Sequence, residues 1–271
     1  MSAYKVTVAL LTYNRSAFLP DVIQAVLNQT HSDFEFLVID NGSMDETPAV
    51  MMRLQNQRIK YVRLPPGSNA ADSFLNALRM ASGSYVLVTH DDDLMTSTML
   101  EKQVAVVESA ADIACVATNV QLIDESGSVV QPALYDMRGD RVFKKNSYLS
   151  AYLQEKIWLP TPTLLFNQQL LQKAHKRAIA ESESVSVYRP SADIWLSVML
   201  NTYGKLILLE EPLLKYRQHS AQESRTVDQS SPMVSFARDC LKTPRIRKGN
   251  RKLAPNLLGL YLKYKLQHLL F

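Results

Sequence analysis

Segments of strand type alternate with segments of helical type through the first half of the chain. Apolar runs at 4–13, 34–43 and 84–90 are separated by stretches with helical spacing, of which 17–30 and 69–81 are the longest. Strands that alternate with helices of this length form βαβ units, and such units build a mostly parallel sheet. We therefore predict an α/β fold with a mostly parallel central sheet. The other elements predicted in this half are a helix at 47–54, a strand at 58–64, a helix at 96–109 and a strand at 113–123.

The regular alternation ends at about Asp124. Residues 124–129 are typical of a turn between antiparallel strands, and residues 131–147 are polar and irregular. An amphipathic helix at 191–204 is predicted to stop at Gly204. The segment KLILLEEPLLKYRQHS predicts two short strands broken at Pro212. We predict one continuous domain, divided into a first half at 1–124, a smaller mixed half at 125–225 and a C-terminal tail at 226–271.

Composition favours an ordinary soluble globular protein. The chain has 271 residues, of which 46% are hydrophobic and 21% are charged. No segment reaches the ~18 uninterrupted apolar residues of a membrane span, and the first apolar run is too short for a signal peptide. Cys115 and Cys240 lie far apart in the sequence and indicate no disulfide framework. We expect a cytoplasmic protein that does not bind nucleic acid.

The C-terminal tail combines positive charge with an apolar helical face. Basic residues cluster in KTPRIRKGNRK (242–252), and Leu258, Leu262, Leu266 and Leu269 are spaced to share one side of a helix. Such a segment suits the surface of an anionic membrane, on the inner face of the cell membrane. A helix packed on the domain beside a solvated basic loop explains the pattern equally well. Both interpretations stay open.

Polar groups follow three of the predicted strands, at the edge where open α/β sheets bind their ligands. They are TYNR (12–15), DNGS (40–43) and DDD (91–93). TYNR offers backbone and amide groups near a helix start, which suit a nucleotide base or phosphate. A plain strand-to-helix turn, capped by Asn14 or Ser16, is the alternative. Asp40 in DNGS could bind a base or a ribose, or it could close an Asx turn.

The acidic triplet is the most specific of the three groups. Three adjacent carboxylates repel one another and raise each other's pKa. If the chain stays extended, Asp91 and Asp93 point to one side and Asp92 to the other. Mg²⁺ and Mn²⁺ prefer oxygen ligands, and Mg²⁺ commonly uses one or two carboxylates together with substrate phosphates. The triplet therefore indicates a site for a divalent cation and a diphosphate, although solvated acidic loops also occur.

The order VTVALLTYNR, FLVIDNGSMDET and SYVLVTHDDD resembles the inverting family-2 glycosyltransferases of type-A fold that build bacterial surface polysaccharides. The resemblance covers roughly residues 4–220. It implies a nucleotide-sugar-binding half at 1–124 and an acceptor-binding, catalytic half at 125–225. It also implies that the nucleotide-sugar donor is bound by Thr12, Tyr13, Asn14, Arg15, Asp40, Asn69, Asn76, Asp91 and Asp92. The family often has a glycine shortly after the position of Asn69, which this chain lacks.

The resemblance extends to the metal and to the second half. It implies that Asp93 binds the divalent cation, Mn²⁺ or Mg²⁺, and that His219 in the motif Tyr-Arg-x-His approaches it. The catalytic base would be Asp193 in YRPSADIWL, although a shift of register would place Ser191 there. Arg217 and Trp158 are expected on the acceptor side, where Arg217 could also pair with phosphate.

The leading hypothesis is an inverting, metal-dependent glycosyltransferase. It would move a hexosyl or N-acetylhexosaminyl group from a nucleoside-diphosphate sugar, by resemblance a UDP-sugar, to a glycan or lipid-linked acceptor. The alternative is a catalytically inactive relative that binds nucleotide or glycan. A sugar-nucleotide pyrophosphorylase is disfavoured because LLTYNRSAF has no glycine-rich phosphate loop.

Overall fold

The structure is a computed structural model that describes residues 4–54, 56–68, 70–181, 192–220 and 230–269. Its strands are β1 (Val6–Thr12), β2 (Phe34–Asp40), β3 (Ile59–Arg63), β4 (Tyr85–His90), β5 (Leu94–Met95), β6 (Ile113–Ile123), β7 (Val129–Gln131), β8 (Arg141–Phe143), β9 (Leu165–Asn167) and β10 (Lys205–Arg217). Its helices are α1 (Leu19–Leu27), α2 (Thr47–Leu54), α3 (Ala70–Met80), α4 (Met99–Glu108), α5 (Tyr148–Gln154), α6 (Gln168–Glu181), α7 (Ala192–Asn201), α8 (Ser230–Lys242), α9 (Pro244–Gly249) and α10 (Ala254–Leu269). Short 3-10 turns lie at Thr161–Thr163 and Arg251–Leu253.

The strands form one sheet in the order β3-β2-β1-β4-β9-β6-β10-β5, with β7 beside β6 and β8 beside β10. The first four strands are parallel, and β10 runs parallel to β6. Strand β9 is antiparallel to both of its neighbours. The predicted α/β class with a mostly parallel sheet is therefore confirmed, and so is the antiparallel pairing across the turn at 124–129.

Register places the carboxyl ends of three strands at the same level. Thr12 at the end of β1 lies opposite Asp40 at the end of β2. On the other side of β1, Leu11 lies opposite His90, the last residue of β4. Because parallel strands share a direction, the loops that follow β1, β2 and β4 emerge at one edge of the sheet.

Apolar side chains cover both faces of the sheet. Alternate residues of β1 belong to different clusters: Val8 packs with α1 and α4 on one face, whereas Ala9 packs with α3 on the other. This alternation follows from the two-residue period of a strand. A third cluster joins the strands of the second half to α5, α7 and α8. Helices on both faces explain why these strands are apolar almost throughout.

Strand β10 differs from the prediction at one point. Two short strands broken at Pro212 were expected, but a single strand runs from Lys205 to Arg217 with register shifts on both sides of Pro212. Proline has no N–H to donate, and a β-bulge accommodates the missing ladder bond while pairing resumes beyond it. The strand thus reaches the edge of the sheet where β4 ends.

The C-terminal segment packs on the domain. Ile246, Leu253 and Leu257 are buried in the cluster that also contains α7 and α8. Leu258 and Leu262 lie on the outer side of α10, about half exposed, at 50% and 48%. Among the described residues, no helix is long and apolar enough to cross a membrane.

Candidate functional site

The loop after β1 is bonded to the loop after β2. Asn14 has a left-handed backbone, with φ of 52°, a conformation that asparagine adopts more readily than most residues. Its N–H donates to Ser43 Oγ at 2.9 Å, and its Oδ1 accepts from the Met44 N–H at 2.8 Å. The N–H of Ser16 donates to Asp45 Oδ2 at 3.1 Å. These reciprocal bonds fix the two loops against each other.

Asp40 is fully buried at the end of β2, and both of its carboxylate oxygens have partners. Oδ1 accepts from the Ser43 N–H at 2.8 Å, which is the Asx turn, and Oδ2 accepts from the Tyr61 hydroxyl at 2.5 Å. Burial and this bond to Asp40 raise the pKa of Tyr61. The Arg63 Nε lies 3.7 Å from Oδ2. The turn is thus present, and contact of Asp40 with a base stays a prediction.

Asp91 joins the end of β4 to the loop after β1. Its Oδ2 accepts from the Tyr13 N–H at 3.0 Å, and its Oδ1 lies 3.9 Å from Arg15 Nε. Burial, and next the charge of Asp92, raise the pKa of Asp91 to about 7. The Asp91 carboxylate thus lies on the TYNR loop, as a donor-binding residue would. Tyr13 itself is 51% exposed, whereas Thr12 is buried.

A group of potential metal ligands forms from His90, Asp92 and Asp93. One ligand atom from each lies within 4.8 Å of the others. Asp93 is buried, its Oδ1 accepts from the Arg217 N–H at 2.9 Å, and its Oδ2 has no hydrogen-bond partner among the described residues. Burial, and next the charge of Asp92, raise the pKa of Asp93. A buried carboxylate oxygen without a partner is costly and fits a bound cation.

This grouping differs from the expected one. An extended chain would place Asp91 and Asp93 on one side and Asp92 on the other. In the structure, Asp92 lies with Asp93, and Asp91 turns to Tyr13. The reason is that β4 ends at His90 and the triplet follows a bend, so the alternation of an extended strand does not apply. His90 was not among the predicted ligands, although a ligand-type residue directly before the triplet could have indicated it.

Residues at and after the end of β10 contact the acidic triplet at 91–93. The Nε of Arg217 donates to the Asp92 carbonyl at 2.9 Å, and its guanidinium also donates to the carbonyls of Asp124 and Glu125 at 3.3 and 2.9 Å. His219 Nε2 lies 3.0 Å from Asp92 Oδ2. The ring of Phe18 lies 4.8 Å from the guanidinium and its centroid 5.6 Å from that of His219.

These contacts bear on two predicted roles. Arg217 is 5% exposed. Its guanidinium donates to backbone carbonyls, and it thereby connects the triplet to the turn at 124–125 inside the protein. His219 contacts Asp92, a candidate ligand, and could orient that carboxylate, as partners of metal ligands commonly do. Direct binding of an acceptor or phosphate by Arg217 stays a prediction. Direct binding of the metal by His219 also stays a prediction.

The remaining predicted residues lie elsewhere. Trp158 is half-buried, its ring meets Tyr216 edge to face at 5.9 Å, and its backbone is bonded to the Tyr135 hydroxyl. Asn76 lies within α3. Asp193 belongs to the first turn of α7, but its side chain is outside the described part of the structure, and Asn69 lies outside the described residues altogether.

Comparison with known proteins decides the family. A sequence profile described as Glycosyl transferase family 2 matches residues 7–164, which is more than half of the chain. The chain belongs to glycosyl transferase family 2. The family resemblance predicted from the sequence is therefore confirmed, and the protein is a glycosyltransferase.

Several family-2 relatives are similar in sequence. An uncharacterized glycosyltransferase of Methanocaldococcus jannaschii is 25% identical over 219 residues, which are 78% of this chain and 70% of that protein. The Escherichia coli protein WfgD, named a UDP-Glc:alpha-D-GlcNAc-diphosphoundecaprenol beta-1,3-glucosyltransferase, is 30% identical over 40% of this chain and 42% of its own. The Bacillus subtilis TuaG, named a putative teichuronic acid biosynthesis glycosyltransferase, is 33% identical over 38% of this chain and 42% of its own.

A similar fold occurs in a protein of known crystal structure. A crystal structure of S. aureus TarS in complex with UDP-GlcNAc has a TM-score of 0.71, with 16% sequence identity, and the alignment covers 96% of this chain and 73% of that chain. At this identity the likeness shows the fold. It agrees with the type-A architecture predicted for a family-2 enzyme, including the helical C-terminal region.

Proposed function

We propose that the protein is an inverting glycosyltransferase that uses a divalent cation and a nucleoside-diphosphate sugar. The observation that carries this proposal is the meeting of three loops at one edge of the sheet, where Asp91 contacts the TYNR loop and Asp93 has a buried oxygen that no described residue bonds. The other donor-binding residues proposed are Thr12, Tyr13, Asn14, Arg15, Asp40, Asn69, Asn76 and Asp92.

The ligand group suits Mn²⁺ or Mg²⁺. Asp93 would hold the ion, with Asp92 and His90 as the nearest further ligands and His219 behind Asp92 or on the ion itself. Carboxylate oxygens are the ligands that both ions prefer, and the substrate diphosphate supplies the others. If a divalent cation is held by these residues, it would supply Lewis-acid chemistry that neutralises charge on the departing diphosphate.

A UDP-sugar is the proposed donor. TarS was solved with UDP-GlcNAc, and WfgD is named as using UDP-Glc. Both sugars are hexose derivatives, which supports a hexosyl or N-acetylhexosaminyl transferase. The buried Asp40 would reach a uracil imide only by exchanging one of its two protein partners, so its contact with the base is the most demanding part of this proposal.

The transfer step is assigned to Asp193. The acceptor hydroxyl attacks the anomeric carbon, its proton passes to the Asp193 carboxylate, and the bond between that carbon and the diphosphate oxygen breaks in line. The product is the extended glycan with inverted configuration, and nucleoside diphosphate leaves. Trp158 would bind the acceptor through its ring, as aromatic rings do with sugar faces.

The proposed acceptor is a glycan or lipid-linked oligosaccharide in polysaccharide biosynthesis. The names of WfgD and TuaG support this class, since one cites a diphosphoundecaprenol substrate and the other teichuronic acid. A lipid-linked acceptor is presented at a membrane. We propose a peripheral contact through exposed basic residues before α10 and the exposed Leu258 and Leu262 on it. The basic residues are Arg247, Lys248, Arg251 and Lys252.

A thermal-shift panel of nucleotides and nucleotide sugars, with and without Mn²⁺, tests the donor site. We expect UDP or a UDP-sugar to raise the melting temperature only when Mn²⁺ is present. Absence of any cation-dependent shift with every diphosphate nucleotide would refute the proposal.

Transfer assays on Asp193→Asn test the base. The variant should keep the thermal shift with UDP and Mn²⁺ but lose most turnover, by about 100-fold or more, because general-base catalysis contributes 10²–10⁴-fold. Unchanged turnover would remove Asp193 from the mechanism. Turnover below detection in the unmodified protein, with nucleotide binding intact, would favour the inactive relative.

Co-sedimentation with lipid vesicles tests the membrane contact. The protein should bind vesicles that contain anionic lipid and should not bind vesicles of neutral lipid. A charge reversal of Lys248, Arg251 and Lys252 to Glu should abolish that binding, whereas reversal of the exposed Lys60, Lys173 and Lys176 should leave it intact. Equal losses in both triple variants would indicate nonspecific charge attraction.

A further inference from the structure

An open cavity of about 730 Å³ lies between the 131–140 segment and the bulge of β10. Its volume is within the range of small-molecule sites, which is roughly 300–1,000 Å³. Apolar side chains contribute to its wall, among them Pro132, Met137 and Pro212. Neither the donor loops nor the triplet lines it.

The cavity is built on a buried asparagine. Asn119 is 1% exposed and its Nδ2 donates to the carbonyls of Tyr135 and Glu210, at 2.8 and 3.1 Å. Its Oδ1 accepts from the Tyr135 N–H at 3.1 Å. One side chain thus holds both walls, since Tyr135 belongs to the 131–140 segment and Glu210 to the bulge.

Two further bonds close the far end of the cavity. The Asp140 Oδ1 accepts from the Glu210 N–H at 2.9 Å, and the Glu210 Oε2 accepts from the Gly139 N–H at 2.7 Å. Because these reciprocal bonds join the segment to the strand, the cavity is formed before any ligand arrives. Preformed sites avoid the cost of ordering loops on binding.

Charged groups around the cavity all have one sign. Within the described part of the chain, the charged side chains that line it are Asp136, Asp140, Glu210 and Glu211. Glu211 is paired with Lys102, and Asp136 has no hydrogen bond or ion pair to any described residue. Carboxylates accept hydrogen bonds from hydroxyl and ammonium groups, and they repel anions.

The cavity is connected to the predicted acceptor side. The Tyr135 hydroxyl accepts from the Trp158 N–H and donates to the Trp158 carbonyl, at 2.8 and 2.7 Å. The Trp158 ring contacts Tyr216 on β10, one residue before Arg217. A wall of the cavity and the predicted acceptor tryptophan therefore belong to one bonded unit.

We propose that this cavity binds a sugar unit of the acceptor glycan that is uncharged or carries an amino group, and that it excludes anionic units such as uronic acids. The inference rests on the proposed function. Apolar walls suit the C–H faces of a sugar ring, and the carboxylates suit its hydroxyl groups. Asp136, Asp140 and Glu210 have no cationic partner among the described residues, and three such carboxylates around one opening disfavour a further negative charge.

Calorimetric titration of the full chain, without donor or cation, tests the inference with three disaccharides of matched size. They are a neutral N-acetylglucosamine disaccharide, a glucosamine disaccharide and a disaccharide that contains glucuronic acid. The first two should bind, and the third should bind at least about fivefold more weakly. Failure of all three to bind, or glucuronate binding as tight as the neutral probe, would overturn the proposal.

Asp136→Lys is the decisive variant. Asp136 has no hydrogen bond or ion pair to any described residue, so reversing its charge breaks no such contact. It should weaken binding of the glucosamine probe about two- to fivefold, the range of an exposed ion pair, and strengthen binding of the glucuronate probe. Asp33→Lys is the matched control, since Asp33 is exposed and directly precedes β2, at the opposite edge of the sheet. If the two variants behave alike, Asp136 and the cavity are not involved.

Ala133→Trp places a large side chain in the cavity and tests whether the neutral probe binds there. It should lower the affinity for all probes about tenfold. Its melting temperature should stay close to that of the unmodified protein. Unaltered affinity in that variant would contradict the proposal. Asp93→Asn should bind the three disaccharides as the unmodified protein does. Transfer by Asp93→Asn at the rate of the unmodified protein, with this binding pattern intact, would refute the proposed cation-dependent function and leave the cavity proposal standing.

Discussion

The proposed donor edge, formed by the loops after β1, β2 and β4, and the proposed acceptor side, formed by the 131–140 segment and the bulge of β10, are built in different ways. At the donor edge, short loops follow parallel strands and are bonded to one another, as when Asn14 and the 43–44 segment exchange hydrogen bonds. On the proposed acceptor side, an irregular segment runs from β7, beside β6, to β8, beside β10, and the buried Asn119 donates hydrogen bonds to it and to β10. The first arrangement follows from strand register, whereas the second depends on individual contacts between distant residues.

Asp93→Asn is expected to have the largest effect, and it should act on the donor edge only. The change removes a charge from the ligand group, so cation-dependent turnover should fall by about 100-fold or more. The assay is transfer at several Mn²⁺ concentrations. The exposed Asp33→Asn serves as the control, and turnover within threefold of the control would contradict the role of Asp93.

Removing the cation should make stability depend on pH in a way that identifies Asp91. Its pKa is about 7 in the folded protein, against an ordinary value of 3.8. Between these values the folded state holds a proton that the unfolded state has lost, so the free energy of unfolding falls as pH rises from about 4 to 7. The loss attributable to this group is up to about 4 kcal/mol.

Urea unfolding in a chelating buffer at several pH values measures this slope. Asp91→Asn should reduce the slope relative to the unmodified protein, with the remainder due to the buried Asp93, whose pKa is also raised, and Asp33→Asn should leave it unchanged. Saturating Mn²⁺ should stabilise more at pH 8 than at pH 5, because a ligating carboxylate must be deprotonated. A slope that Asp91→Asn leaves unchanged would assign it to other groups.

Arg217→Ala should cost about 3 kcal/mol of stability, since it removes charged hydrogen bonds to three backbone carbonyls at a buried position. The same change at the exposed Arg138 is the control and should stay within about 0.5 kcal/mol. Thermal and urea unfolding measure both. Equal stability of the two variants would show that the hydrogen bonds from Arg217 to Asp92 and to the 124–125 turn contribute little to the free energy of unfolding.

Tyr61→Phe should have the smallest effect, a loss of about 1 kcal/mol, because one hydrogen bond to a buried carboxylate disappears while the ring remains. Tyr4→Phe, at an exposed residue, is the matched control. UDP affinity measured on the same variant sharpens the comparison. If the affinity for UDP rises while the stability falls, loss of the Tyr61 hydroxyl frees the Asp40 carboxylate to bind the base.

Much of the donor edge could be predicted from the sequence because it depends on local patterns. Apolar runs with a polar residue at their end located β1, β2 and β4, and parallel register then brought their loops together. His90 was not predicted as a ligand, although it directly precedes the triplet, because the bend after β4 that brings Asp92 and Asp93 together with it has no signal in the sequence. The contacts of Phe18 with Arg217 and His219 join residues from opposite ends of the chain, and no local pattern encodes them.

The acceptor side could be predicted far less. A polar, irregular stretch at 131–147 was recognised, but its path from β7 to β8 depends on the bulge at Pro212 and on bonds from Asn119. The helix that contains Asp193 was expected and is present.

Arg217 sets a limit on how this enzyme could be recombined with its relatives. The residue is part of β10, in the second half of the chain, but its guanidinium and backbone N–H bond Asp92 and Asp93 in the first half. It also bonds the turn after β6. A chimera that exchanges the part of the chain after a boundary near Asp124 would therefore separate the triplet from the strand end that supports it. Exchanges confined to 131–160 leave that support intact, so they can test the proposed role of this segment in acceptor binding separately.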